Sequence, residues 1–139
     1  MKMKISSRVF LSIIIVILGL LIAAVPEKDV KALKLNAQEM LDELKSGEQF
    51  IHPDQIASMI VEKDPSLLLI DVRTPAEFSK YSLPGAINIP FNDLLSDEWK
   101  DYIDQDTYLN VFYSNGNTKS NEAWLITKQL GYSNNYILL

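Results

Sequence analysis

The chain of 139 residues contains no cysteine and a single histidine, His52. Without a thiol there is no disulfide, no zinc–thiolate site and no thiolate nucleophile. With one histidine, a serine at the head of a loop has little to activate it, because a hydroxyl nucleophile needs an adjacent base. Basic residues are scarce where it matters. Of the 13 Lys and Arg, three (Lys2, Lys4, Arg8) precede Pro26, and none of the 18 acidic residues does. Positions 26–139 therefore carry ten basic against eighteen acidic side chains, a net charge of −8. Such a surface is a poor partner for nucleic acid or anionic lipid. No internal repeat or low-complexity tract is present, and no metal-ligand set or cofactor motif is expected.

The one long apolar run is VFLSIIIVILGLLIAAV, Val9 to Val25. As a helix it is about 25 Å long, close to a hydrocarbon core of about 30 Å. Its uniform apolarity argues against a surface or core helix with one polar face. The basic flank at residues 1–8 belongs in the cytoplasm by the positive-inside rule, which places residues 26–139 on the far side. Two fates stay open: a transmembrane anchor, or a signal peptide cleaved after the small residues Ala23-Ala24.

A charged stretch after Pro26 reads as a tether, and residues 26–49 as a linker with one short helix. Asn36 and Glu39 have the spacing of a capping box, and Gly47 ends the helix they open. The domain proper is expected over 50–139. Gln49 to His52 is a short strand, Pro53 opens a helix, and Ser66 to Val72 is a continuous apolar run suited to a central strand buried on both faces. Ala86 to Pro90 reads as a short strand, Leu94 to Tyr102 as a weak helix, Tyr108 to Tyr113 as a strand, Ser120 to Leu130 as a helix and Tyr136 to Leu139 as a last strand. Alternating strands and helices predict an α/β sandwich with a mainly parallel sheet.

Between the strand ending at Tyr113 and the next helix lies a polar loop, Ser114-Asn115-Gly116-Asn117-Thr118-Lys119-Ser120. Unpartnered N–H groups there, with the helix dipole, form a cradle for an anion. Asp71 and Arg73 fall at the carboxyl end of the central strand, where α/β sheets place their crevices. Arg73 and Glu77, four apart, are expected to pair and brace the turn. His52 reads as a solvent-facing or backbone-bonded residue.

The segment IDVRTPAEFSKYSLPGAINIP, Ile70 to Pro90, closely resembles the signature of rhodanese-like domains. A second element of that family, an apolar strand, a loop, a helix and then Gly-Tyr, is matched by Val111 through Tyr132. The resemblance covers residues 50–139 and implies a three-layer sandwich preceded here by one hydrophobic helix. It also implies sulfurtransferase chemistry, in which sulfane sulfur rides as a persulfide on the loop cysteine. Ser114 stands at that position. Gly116 is third in the loop rather than fourth, Lys119 replaces a frequent arginine, and Ser82 stands where a histidine is common. The family's closing helix would come after Leu139, so either the sequence stops short or the domain lacks it. The reading is a membrane-anchored, extracytoplasmic, non-catalytic module for a small anion or a protein partner, with active sulfurtransfer as the alternative.

Overall fold

The computed structural model describes residues 7–24 and 33–139. They fall into two units, Met1–Lys31 and Ala32–Leu139. The first contains helix α1, Ser7–Ala23, whose Val, Ile and Leu side chains are exposed through Leu21. Ser12 returns its hydroxyl hydrogen bond to the Arg8 carbonyl at 3.0 Å, which spares the helix an unsatisfied polar group. Among the described residues, no helix is long and apolar enough to cross a membrane. Most of the tether expected after Pro26 lies outside the described residues.

The second unit starts before residue 50. Helix α2, Ala37–Ser46, has the expected capping box, with Asn36 accepting from Gln38 and Glu39 and the Glu39 carboxylate accepting from Asn36. Met40 sits in the main apolar cluster at 7% exposure, and Lys34 N–H donates to the Gln129 carbonyl at 2.9 Å. This helix is packed on the domain and is not part of a free linker.

Beyond α2 the chain builds a five-stranded, wholly parallel sheet in the order β1-β5-β4-β2-β3. Its strands are β1 (Phe50–Ile51), β2 (Leu67–Asp71), β3 (Ile87–Asn88), β4 (Leu109–Tyr113) and β5 (Asn135–Leu138). The helices are α3 (Pro53–Glu62), α4 (Pro75–Lys80), α5 (Lys100–Ile103) and α6 (Asn117–Gln129), with one 3-10 turn at Phe91–Asp93. The α/β class and parallel sheet are as the alternation of elements implies. Two apolar clusters cover the two sheet faces, one around Ile70, Phe112 and Ile137, the other around Leu69, Val111 and Ile56. Adjacent residues of β2 and β4 point to opposite clusters, as strand pleating requires.

Several boundaries differ from those expected. In β2 the buried residues are Leu69, Ile70 and Asp71, while Leu68 is only half-buried, because the amino end of the strand reaches the sheet's rim. Of the weak helix expected over Leu94–Tyr102 only the four residues of α5, Lys100–Ile103, are helical at its far end, while the 3-10 turn lies before Leu94. Helix α6 begins at Asn117, three residues early, because Gly116 is fully extended and the chain enters the helix directly after it. At its other end Gly131 takes φ +78°, with Tyr132 N–H on the Thr127 carbonyl and Gly131 N–H on that of Lys128, both at 2.9 Å. That is the left-handed closure favouring glycine.

One buried polar element has no sequence signature. Asn110 lies fully buried in β4, and its amide donates to the Tyr102 carbonyl at 2.8 Å and to Asn135 Oδ1 at 3.0 Å. Asn135 in turn donates to the Ile103 carbonyl, tying α5 to the ends of β4 and β5.

Candidate functional site

The carboxyl ends of β2 and β4 lie side by side, with Asp71 paired in register to Tyr113. The segments leaving the two strands are therefore brought together: Arg73 and α4 after β2, the Ser114 loop and α6 after β4. A cavity of about 300 Å³ opens there, lined by Arg73, Glu77, Ser114, Asn115, Gly116, Thr118 and Lys119. These are the residues singled out in the sequence, apart from Asp71, Asn117 and Ser120. Asp71 lies beneath at 0% exposure, and Ser120 is buried with its hydroxyl on the Asn117 carbonyl at 3.2 Å.

The expected Arg73–Glu77 pair is replaced by another. Arg73 grips Asp71, with Nη2–Oδ2 at 2.5 Å, Nε–Oδ1 at 2.9 Å and Nε–Oδ2 at 3.1 Å. The backbone N–H of Arg73 also donates to Asp71 Oδ1, at 2.9 Å. Sequence spacing favours four apart only on a helix, and Arg73 precedes α4. Two residues beyond a strand end, the side chain folds back over the strand instead. The hydrogen-bonded carboxylate holds the Arg73 pKa above its ordinary value, against the opposing effect of desolvation. Nη2 also donates to the Tyr81 carbonyl at 2.6 Å, and Nη1 to Asn115 Oδ1 at 2.9 Å. All three guanidinium nitrogens are thus engaged, and Arg73 acts as a structural clamp.

Glu77 has a different task. Its Oε2 accepts from the Thr74 hydroxyl at 2.6 Å and from the Thr74 N–H at 3.1 Å, closing the capping box of α4. Oε1 accepts from Asn115 Nδ2 at 2.7 Å. Hydrogen bonds from Thr74 push the Glu77 pKa down, with smaller help from the Lys119 and Arg73 charges. Asn115 therefore bridges Arg73 and Glu77, a role its sequence position did not disclose.

Tyr113, the last residue of β4, sets its ring 5.8 Å from the Arg73 guanidinium and accepts from Leu83 N–H at 3.1 Å. Burial raises its pKa to about 12, and the neighbouring Asp71 carboxylate acts in the same direction. Asn88 completes the frame by donating to the Asp71 and Arg73 carbonyls at 2.9 and 3.0 Å.

Within this frame the Ser114 hydroxyl donates to the carbonyl of Gly116. That contact fastens the loop to itself. His52 is used elsewhere, as the exposed N-cap of α3, with Nδ1 accepting from Asp54 N–H at 3.4 Å. Neither residue serves the other as base and nucleophile. Gly116 supplies no side-chain cap to α6, so the first-turn N–H groups of Asn117, Thr118 and Lys119 gain no side-chain acceptor from it.

Comparison with known proteins agrees with this architecture. The profile of the rhodanese-like domain matches residues 52–139. A tRNA 2-selenouridine synthase of Bdellovibrio bacteriovorus is 48% identical over 40 residues, which are 29% of this chain and 10% of that protein. The chain thus spans about a tenth of the length of the curated relative it matches. A human single-domain sulfurtransferase superposes with a TM-score of 0.53 at 21% identity, covering 65% of this chain and 88% of the other. A protein of Bacillus halodurans gives 0.59 at 19% identity, covering 75% and 76%. A Rhodopseudomonas palustris protein of unknown function, described as a possible tyrosine phosphatase, gives 0.59 at 18% identity, covering 83% and 89%. At these identities the three structures establish the fold alone. With the family profile spanning well over half its length, the chain belongs to the rhodanese-like domain family.

Proposed function

We propose that this domain is a non-catalytic binding module whose loop cavity takes a small oxyanion. The observation that carries the reading is the Ser114 hydroxyl, which replaces the thiol of sulfurtransfer and donates to the Gly116 carbonyl. A hydroxyl oxygen does not hold transferable sulfane sulfur, and among the described residues no base is positioned to ionise it. The first turn of α6 borders the cavity through Thr118 and Lys119, and the N–H groups and positive dipole end of a helix start favour negative charge there. Lys119 adds a cation at the rim.

Opposing this is the Glu77 carboxylate on the same cavity, while Arg73 is neutralised by Asp71. The Lys119 charge is thus offset by that of Glu77, so affinity rests on the N–H groups and is weak. Titrating the full chain with sulfate, thiosulfate and phosphate should move amide resonances confined to residues 114–120. Glu77→Gln should tighten that binding, because glutamine keeps the capping box and removes the charge. An absence of shifts in both forms would leave a protein-interaction module as the better account.

In the same reading α1 is the segment that brings the protein to a membrane, with residues 26–139 outside the cytoplasm. Its support is the charge-free apolar run Val9 to Val25 and the basic residues Lys2, Lys4 and Arg8 ahead of that run. A cleaved signal rests on the same features. Protease added to intact spheroplasts should digest the domain, full protection would overturn the orientation, and a mature chain beginning near Val25 would identify the cleaved form.

A further inference from the structure

Asn115-Gly116 is the single Asn-Gly step in the chain, and it lies exposed in the Ser114 loop. The backbone there does not call for glycine. Gly47, Gly85 and Gly131 take positive φ, whereas Gly116 is extended at φ −171° and ψ 168°, and a Cβ built on it would meet nothing within 4 Å. What the glycine leaves bare is its own nitrogen, which has no side chain to shield it. Among the described residues that N–H has no acceptor, while the Gly116 carbonyl is taken by the Ser114 hydroxyl. The adjoining Asn115 carboxamide is held at both ends. Its Oδ1 accepts from Arg73 Nη1 at 2.9 Å, and its Nδ2 donates to Glu77 Oε1 at 2.7 Å. An unpartnered main-chain nitrogen thus stands next to an amide carbon that the turn after β2 and helix α4 together hold in place.

We propose that Asn115 is a site of self-modification, an intramolecular deamidation that the Arg73 and Glu77 contacts restrain and whose product cannot re-form the Glu77 contact. When the clamp opens, the Gly116 nitrogen attacks Asn115 Cγ. The N–Cγ bond forms, the Cγ–Nδ2 bond breaks, and the Gly116 proton leaves with Nδ2 as ammonia. Water then adds across either C–N bond of the resulting succinimide, giving aspartate, or isoaspartate where the main-chain bond opens. No electron is exchanged. Both products put a carboxylate where a donor met Glu77 Oε1, and the like charges repel. Isoaspartate also lengthens the main chain of the loop by a methylene. The conversion is therefore one-way: local opening permits it, and its product keeps the loop away from α4. The new charge also faces the loop cavity and weakens oxyanion binding there, a consequence that rests on the binding role proposed above; the conversion itself does not.

The test is peptide mass spectrometry of the full chain during incubation in warm, mildly alkaline buffer, with isoaspartate scored by an isoaspartyl methyltransferase, beside a synthetic peptide of residues 111–120. The native chain should convert at Asn115, and more slowly than the peptide. Glu77→Gln should speed conversion about tenfold, the loss of one charge-assisted hydrogen bond, because an amide that keeps its oxygen on Thr74 turns its N–H groups toward Asn115. Gly116→Ala should nearly stop it, since a β-carbon shields the attacking nitrogen at a position with room to take one. In the converted chain, separated by ion exchange, amide exchange at residues 114–117 should rise while the rest of the domain keeps its protection. No conversion after many half-lives of the peptide, a rate equal to or above the peptide's, a rate unmoved by Glu77→Gln, or unchanged exchange in the converted chain overturns the proposal.

Discussion

Arg73 and Asn115 are 42 residues apart, and a 2.9 Å hydrogen bond between them joins the turn after β2 to the loop after β4. Arg73 is anchored behind by Asp71, and Asn115 is held on its other side by Glu77. The loop's shape therefore depends on a buried ion pair, and breaking it isolates a fully buried carboxylate. Arg73→Ala should cost about 3–5 kcal/mol in denaturant unfolding. Arg73→Lys keeps the charge but loses the planar two-pronged grip, and it should raise amide exchange at residues 114–117 more than elsewhere.

The core of β2 is asymmetric along its length. Ile70→Ala should cost about 2–5 kcal/mol through lost burial and the cavity left behind. Leu68→Ala should cost clearly less, since Leu68 is half-buried and its surroundings can relax toward solvent. Equal losses at the two positions would contradict the placement of the sheet's rim.

Acid should loosen the site before it unfolds the core. The Glu77 pKa is depressed below its ordinary 4.5 in the folded chain, so the stabilisation it gives is present above that value and is lost as pH falls through the folded one. The Thr74 and Asn115 side-chain resonances should titrate together with the Glu77 carboxyl. Glu77→Gln should abolish that shared transition while leaving α4 capped.

At the alkaline end Tyr113 governs. Its pKa is raised to about 12 from 10.0, so its contribution is intact below 10 and is lost as pH rises toward 12. In a phenolate absorbance titration Tyr113 should ionise late, and Tyr113→Phe should remove that late step.

The strand and helix order was legible because composition and spacing act locally: Asn36 with Glu39 and the apolar runs of β2 and β4 each specify their own element. What was illegible depends on the far partner. Arg73 lies four residues from Glu77 and two from Asp71, and only the turn after β2, which folds the side chain back over the strand, decides between them. The early start of α6 comes from the extended Gly116, and the buried Asn110–Asn135 pair requires knowing that β4 and β5 are neighbours. Gln49 read as the first residue of a strand, with nothing to mark it as a buried orphan.

Whether the domain is catalytically silent is tested most directly by the transfer of sulfur from thiosulfate to cyanide. The native full chain should show no turnover, because no atom in it can carry the sulfur. With Ser114→Cys, the thiol sits beside the first turn of α6 and Lys119, its pKa should fall below the unperturbed value of about 8.5, and slow transfer should appear. Turnover by the native serine form would contradict the account.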